Sequence, residues 1–130
     1  MDLLLCNHTD QTPVIGEIKA DTDVNPLLGL IQSLMYAVEL STPAQRARLC
    51  TYYPGKFTEN DTGPSIDISL ILLRFPQDPM SQEFLNLTSR LSASLMADCA
   101  VASFIRRIAA LETPMSPSGL DNLTVTFAHG

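Results

Sequence analysis

The sequence predicts an α/β domain with a mixed β-sheet, and three observations carry this prediction. The chain has 130 residues, of which 45% are hydrophobic, which suits one domain with its own core. Short apolar segments of strand length alternate with longer segments whose apolar residues recur at helical spacing. Asn-Pro and Asp-Pro pairs, which are typical of helix starts, precede two of the helical segments. The expected order is ββα(α)βα(α)β within a single domain, residues 1–130.

The first half of the chain predicts a β-hairpin followed by a helix. Residues 2–6 and 13–20 have the composition of strands, and the polar NHTDQT between them has turn chemistry. An acidic loop at residues 21–24 leads to Asn25 and Pro26, an N-cap and a first helical residue. The apolar positions of LLGLIQSLMYAVEL then continue the helix to about Ser41. A short second helix, PAQRARLCTYY, and a loop at residues 54–64 follow.

The second half predicts a central strand, a long helical region and a last strand. Residues 65–75, SIDISLILLRF, alternate at first and then become continuously apolar, as in a strand covered on both faces. Asp78 begins the next helical region, residues 80–112, where Arg106 and Arg107 are expected to be surface charges. A break is expected at residues 97–100, because one continuous helix would be about 50 Å long. A loop at residues 113–122 and a strand at 123–129 complete the chain.

Composition argues against several classes of protein. A net charge of −6 is unlike that of a strongly basic protein that coats nucleic acid. The longest apolar runs are far shorter than a membrane span, and LLL near the start lacks the basic region and long apolar core of a secretory signal, so none is expected. Three widely spaced cysteines, Cys6, Cys50 and Cys99, indicate a reduced, cytoplasmic chain better than a disulfide framework, and with His8 and His129 they form no zinc-type spacing.

Two acids and a lysine are expected to meet at the hairpin. Strand periodicity puts Glu17 and Lys19 on one face, and symmetric pairing about the turn, with residue numbers summing to about nineteen, sets Asp2 beside Glu17. Facing carboxylates either lie at a solvated end or hold a cation, and oxygen ligands suit Mg²⁺ or Mn²⁺. A lysine one strand-step beyond would offset negative charge during phosphodiester hydrolysis. The alternative is an edge strand with a solvated, charged side.

The hairpin and its following helix resemble the PD-(D/E)xK nuclease superfamily, in particular the RecB-type branch with its CRISPR-associated exonucleases. The pattern D-x14-ExK is followed by QSLMYA, in which Gln32 and Tyr36 lie one above the other on the helix, like the Q-x3-Y motif of that branch. The resemblance implies a restriction-endonuclease-like fold, with Asp2 and Glu17 as Mg²⁺ or Mn²⁺ ligands and Lys19 as the catalytic lysine. Gln32 and Tyr36 would orient that lysine or contact nucleic acid.

This resemblance covers roughly residues 1–75 and implies a metal-dependent nuclease acting on DNA. Arg46 and Arg48 are weaker candidates for phosphate contact, with a solvated charged face as the alternative. Asp67 could be a third carboxylate near the site, although a strand-end acid facing solvent is the simpler expectation. The family core usually has a helix and a strand before the Asp strand. The C-terminal elements, a second subunit in a homodimer or a missing N-terminal segment would have to complete the fold.

Two other hypotheses stay open from the sequence. One is a catalytically inactive member of the same fold, used as an interaction or structural module. The other is a small unrelated α/β protein in which the E-x-K pattern arose by chance.

Overall fold

The computed structural model describes residues 1–20, 23, 25–57, 65–113 and 123–130. From the N-terminus these residues form β1 (Leu3–Cys6), β2 (Pro13–Ala20), α1 (Pro26–Leu40), α2 (Pro43–Tyr52), β3 (Ile66–Leu73), α3 (Pro79–Met96), α4 (Cys99–Ala102), β4 (Ile105–Thr113) and β5 (Thr124–His129). Parts of the three predicted loops, namely residues 21, 22 and 24, 58–64 and 114–122, lie outside the described residues.

The five strands form one mixed sheet whose order follows the chain, β1-β2-β3-β4-β5. The three inner strands are parallel, and the two outer strands run antiparallel to their neighbours. Helices α1 and α3 make the crossovers between the parallel strands, and since such crossovers are right-handed, both lie on the same side of the sheet, in contact with each other. The predicted α/β class with a mixed sheet is confirmed. In the described part of the chain, no helix is long and apolar enough to cross a membrane.

The hairpin has the predicted register. Leu3 faces Gly16 and Cys6 faces Pro13, so each pair of residue numbers sums to nineteen. The backbone N–H of Asp2 donates to the Gly16 carbonyl at 3.2 Å, a bond between residues whose numbers sum to eighteen, so the ladder becomes irregular just before β1. The regular register ends at the pair of Leu3 and Gly16, and the placement of Asp2 opposite Glu17 stays a prediction.

Strand β3 is the centre of the core, as predicted. Its residues from Ile66 to Leu72 are all buried, and Leu73 is half-buried. Leu70 lies beneath helix α1, and Ile15 and Leu30 belong to the same buried cluster. A strand covered on both faces explains why the alternating pattern gives way to a continuous apolar run.

The helix boundaries follow the capping signals in the sequence. The side-chain oxygen of Asn25 accepts the N–H of Leu28 at 3.1 Å, and Asp78 accepts those of Met80 and Ser81 at 3.1 and 3.0 Å. The predicted break is also confirmed, because α3 ends at Met96 and α4 begins at Cys99.

The prediction of helix up to residue 112 is wrong, because Ile105–Thr113 is strand β4. Phe104, Ile105, Ile108 and Leu111 recur at helical spacing, and two alanines between them favour a helix. Here the segment pairs with β3 on one side and β5 on the other, and tertiary pairing overrides the local preference. A buried parallel strand and a buried helix both give an apolar run, so spacing alone did not separate them.

Strand β4 also corrects the expectations for Asp67 and Arg106. Asp67 is fully buried, and its carboxylate accepts two bonds from Arg106 at 2.8 and 2.6 Å and a longer one from Arg107 at 3.4 Å. A bulge permits this, because Ile66 pairs with residue 105 and Asp67 with residue 107, which leaves Arg106 as the extra residue. Asp67 is therefore neither a solvent-facing acid nor part of the Glu17 cluster.

Arg106 also joins the hairpin turn to the sheet, because it donates to Asp10. Its guanidinium holds the pKa of Asp10 below the usual value, and the two carboxylates raise the pKa of the guanidinium in turn. Arg106 is thus a half-buried ion-pair partner in a strand, whereas Arg107 is 51% exposed and is the surface charge that was expected.

Candidate functional site

Glu17 and Lys19 lie on the face of β2 that packs beneath helix α1. Only 4% of Glu17 and 3% of Lys19 is exposed, and Lys19 Nζ lies 3.5 Å from Glu17 Oε1. Because β2 has β1 on one side and β3 on the other, it is not an edge strand. The prediction that the two side chains share one face is confirmed, and the alternative of a solvated strand edge is wrong.

Gly29 is what allows a lysine and a glutamate to fit under a helix. A Cβ atom at this position would lie 2.7 Å from Lys19 Cε and 3.3 Å from Glu17 Cγ. The first distance is shorter than any normal carbon contact, so the absence of a side chain makes the space that Lys19 occupies. The sequence contained this signal, because a glycine inside an apolar helix costs about 1 kcal/mol relative to alanine and calls for a packing reason.

The Lys19 ammonium is held by three oxygen atoms from different elements. It donates to Asp23 Oδ2 at 2.8 Å and to Gln32 Oε1 at 3.5 Å, and it pairs with Glu17 Oε1. Gln32 thus reaches Lys19 as the resemblance implies for the first residue of Q-x3-Y. Sequence reasoning missed Asp23, which it placed only in an acidic loop.

Asp2 is fixed at the open end of the hairpin. Its Oδ2 atom accepts the backbone N–H of Ile18 at 2.7 Å, while its own N–H bonds to Gly16. The side chain of Asp2 is exposed, whereas Glu17 is buried. The two predicted acids therefore belong to the same end of the hairpin, with one at the surface and one inside.

The oxygen atoms available for a cation come from these two acids. Glu17 Oε2 is buried and accepts no hydrogen bond within the described part of the chain; its charge partner is the Met1 ammonium at 3.5 Å. Among the described residues, no group of three or more histidine, cysteine, aspartate or glutamate side chains could hold a metal. Mg²⁺ can be held by one or two protein carboxylates with its remaining sites filled by water, and the buried Glu17 Oε2, which accepts no hydrogen bond in the described part of the chain, is the oxygen best suited to such an ion.

Tyr36 lies one helical turn beyond Gln32 and takes no part in the Lys19 cluster. It is 40% exposed and lines a surface cavity of about 260 Å³ together with Met1, Leu4 and Leu40. Met1 connects this cavity to Glu17 through its ammonium group. The structure therefore places Gln32 at the lysine and Tyr36 at the neighbouring surface.

The two candidate arginines of α2 have different environments. Arg46 is buried, and its Nη1 atom donates to the Ser65 carbonyl at 3.4 Å, which ties α2 to the start of β3. Arg48 is exposed. Of the two, Arg48 has the side chain that a phosphate could reach.

No protein-family model, curated protein or solved structure matches this chain.

Proposed function

We propose that this chain is a metal-dependent, nuclease-like domain of the PD-(D/E)xK type that hydrolyses phosphodiester bonds in DNA. One observation carries the proposal: Glu17 and Lys19 are buried together beneath Gly29, and Gln32 contacts the lysine. Burying a lysine and a glutamate is costly because both charges lose their hydration, so a functional role for the pair accounts for a cost that packing alone does not require.

The arrangement of strands supports the same proposal. The hairpin, the helix and the following parallel strand occur in the order that the resemblance requires over residues 1–75. Lys19 lies near the carboxyl end of β2, next to Leu72 of β3. In open α/β sheets, ligands bind beyond the carboxyl ends of the parallel strands.

In the proposed mechanism, Glu17 and Asp2 would hold Mg²⁺ or Mn²⁺. When bound, such an ion lowers the pKa of a coordinated water and polarises the phosphate. The Lys19 ammonium would stabilise the negative charge that develops on the phosphate, while Glu17 and Gln32 keep it in place. Lys19 is buried and its partner Asp23 is 57% exposed, so displacement of Asp23 is the step that would open the ammonium to an incoming phosphate.

The experiment is divalent-metal-dependent cleavage of single-stranded and double-stranded DNA. Lys19→Ala and Glu17→Ala should each reduce the cleavage rate by about 10²-fold or more. Lys56→Ala is the comparison, because Lys56 is the other lysine of the chain, is exposed and lies outside the cluster; as at most a peripheral phosphate contact, its loss should reduce the rate far less than Lys19→Ala does. Cleavage that persists in Lys19→Ala would reject the role given to that residue.

A catalytically inactive interaction module is the second candidate, and one observation favours it. The Lys19 ammonium already has three oxygen partners, and the described residues contain no group of three or more histidine, cysteine, aspartate or glutamate side chains that could hold a metal. This candidate predicts no metal affinity. Calorimetric titration that finds Mn²⁺ binding, lost in Glu17→Ala, would contradict it.

We also propose a cytoplasmic location. Cys6, Cys50 and Cys99 are free thiols, as expected in a reducing compartment. Thiol trapping in cells that finds these cysteines oxidised would contradict this part of the proposal.

A further inference from the structure

We propose that the chain forms a symmetric homodimer through the outer faces of α1 and α3. This outer helix face consists of exposed side chains that point away from the sheet: Leu28, Ile31, Met35 and Val38 on α1, and Met80, Glu83, Leu87 and Arg90 on α3. The inference is independent of the nuclease proposal, because none of these residues belongs to the Lys19 cluster.

Helix α1 is apolar on two opposite sides. Gly29, Leu30, Ser33 and Ala37 are buried and face the sheet. The opposite side presents large apolar residues at positions i, i+3, i+7 and i+10, each between 46% and 69% exposed: Leu28, Ile31, Met35 and Val38. A surface helix normally places polar residues there, so a second apolar side indicates a helix that is covered on both sides.

Helix α3 continues this surface with the same spacing. Met80 and Leu87 are 65% and 44% exposed, and Glu83 and Arg90 are exposed between and beyond them. Because α1 and α3 pack side by side, the two stripes form one surface. Glu83 and Arg90 are about 10 Å apart along the axis, too far to pair within one helix.

A second copy of the chain fits this surface by symmetry. A two-fold axis that lies in the plane of contact and runs perpendicular to the helices makes each helix antiparallel to its own copy. On α1 this pairs Leu28 with position 38 and Ile31 with position 35 of the partner. On α3 the same axis puts Leu87 near the axis and sets Glu83 of one protomer opposite Arg90 of its partner. Both pairings are centred near the middle of their helix, so one axis can satisfy both.

The charges favour a second copy over other occupants. The chain carries a net charge of −6, which disfavours self-association through most of its surface. On α3 the outer helix face carries one acid and one base, Glu83 and Arg90, which the two-fold axis brings together twice; the exposed acid of α1, Glu39, lies at the end of that helix, away from the axis. Complementary charges of this kind fix the register of an interface. A partner surface with charge of a single sign would attract one of Glu83 and Arg90 and repel the other.

The expected dimer is weak, because the face is small. Helices of 15 and 18 residues are about 22 and 27 Å long, and two of them side by side cover about 500 Å². A standard interface buries about 800 Å² per partner. Dissociation should therefore occur at micromolar concentrations and be visible on dilution.

Sedimentation of the full chain from about 1 to about 200 µM tests the proposal. The wild type should pass from monomer to dimer within this range. Met35→Asp places a charge in the centre of the face and should weaken the dimer by at least about tenfold. Tyr52→Asp is the control, because Tyr52 is 78% exposed on α2, outside the face, and its replacement should change nothing.

A charge swap identifies the register. Glu83→Arg should weaken the dimer, because it sets two arginines opposite each other, and the double variant Glu83→Arg/Arg90→Glu should restore it. Circular dichroism and melting of each variant at low concentration verify that the monomer is folded. A wild type that stays monomeric throughout would overturn the proposal and leave the face to another protein or a lipid surface. A dimer insensitive to Met35→Asp, or one not restored by the swap, would overturn it too.

Discussion

Replacing Gly29 with alanine should displace the Lys19 ammonium while leaving the fold almost equally stable. The new methyl group would lie 2.7 Å from Lys19 Cε, 3.3 Å from Glu17 Cγ and 3.6 Å from Leu70 Cδ2. The last distance is an ordinary contact. The first must open to about 3.6 Å, so Lys19 Cε has to move by roughly 0.9 Å.

Two opposing effects set the change in stability. Alanine is favoured over glycine inside a helix by about 1 kcal/mol. Overpacking a core costs about 1 to 3 kcal/mol, and the lower end applies here because the crowded atom belongs to a flexible side chain. The free energy of unfolding should therefore change by about 1 kcal/mol or less. A displacement of about 1 Å in a catalytic group can still reduce a rate by about 10²-fold.

Three measurements on Gly29→Ala test this reasoning. Urea unfolding gives the stability, the DNA cleavage assay gives the rate, and the ¹³Cε resonance of Lys19 reports the position of its side chain whether or not the chain is active. Ser33→Ala is the matched control, since it is a buried alanine substitution on the same side of α1. It removes a hydroxyl that has no hydrogen-bond partner in the described structure, and it should leave both rate and resonance unchanged.

Two results would refute the argument. A loss of more than about 3 kcal/mol would mean that the helix moves and that Lys19 is rigid. An unchanged Lys19 resonance would mean that the lysine does not occupy the space beneath Gly29. Failure of the cleavage assay alone would count against the proposed function and leave the packing argument intact.

Three further predictions concern stability. Arg106→Met should lower the free energy of unfolding by about 3 to 5 kcal/mol, because the buried Asp67 would keep only its 3.4 Å contact with Arg107. Chemical denaturation measures this, and Arg107→Met is the control, which should lower the free energy of unfolding less because it leaves both shorter bonds in place. Asp10→Asn should lower the melting temperature by a constant amount at pH values above 3.8, the pKa of this carboxyl in the unfolded chain. Because Arg106 holds the pKa lower in the folded protein, the difference from the wild type should vanish as pH falls through the folded-state pKa, and thermal melts at a series of pH values measure this. Asn25→Ala should cost about 1 kcal/mol in urea unfolding, because the Leu28 N–H loses its cap, and an unchanged midpoint would contradict the capping role.

Local signals in the sequence predicted most of the fold. The turn residues and the alternation of β1 and β2 gave the register, and Asn25 and Asp78 gave the helix starts, because these features depend on neighbours along the chain. Strand β4 was missed because its identity depends on pairing with β3 and β5. Nothing within the segment distinguishes Ala109 and Ala110 in a buried strand from alanines in a helix.

For the candidate site, the sequence predicted which residues share a face, but not which of them are buried or paired with distant residues. Strand periodicity alone places Glu17 beside Lys19, and helical periodicity places Gln32 above Tyr36. The burial of Lys19 and the contact with Asp23 depend on how closely α1 approaches the sheet. Asp67 was misjudged for a similar reason, because its arginine partner comes from a strand that the sequence had suggested was helical.

The agreement between strand order and chain order bears on how the protein is made. During synthesis from the N-terminus, each strand can pair with a neighbour that has already left the ribosome. Asp67 is the exception, because its partner Arg106 is synthesised 39 residues later. If β3 were buried before Arg106 is synthesised, the Asp67 carboxylate would be buried without a positive partner. We therefore expect β3 to become buried only after β4 has been synthesised. Ribosome-bound chains that stop before β4 should therefore leave β3 open to proteolysis, and chains that extend past it should not.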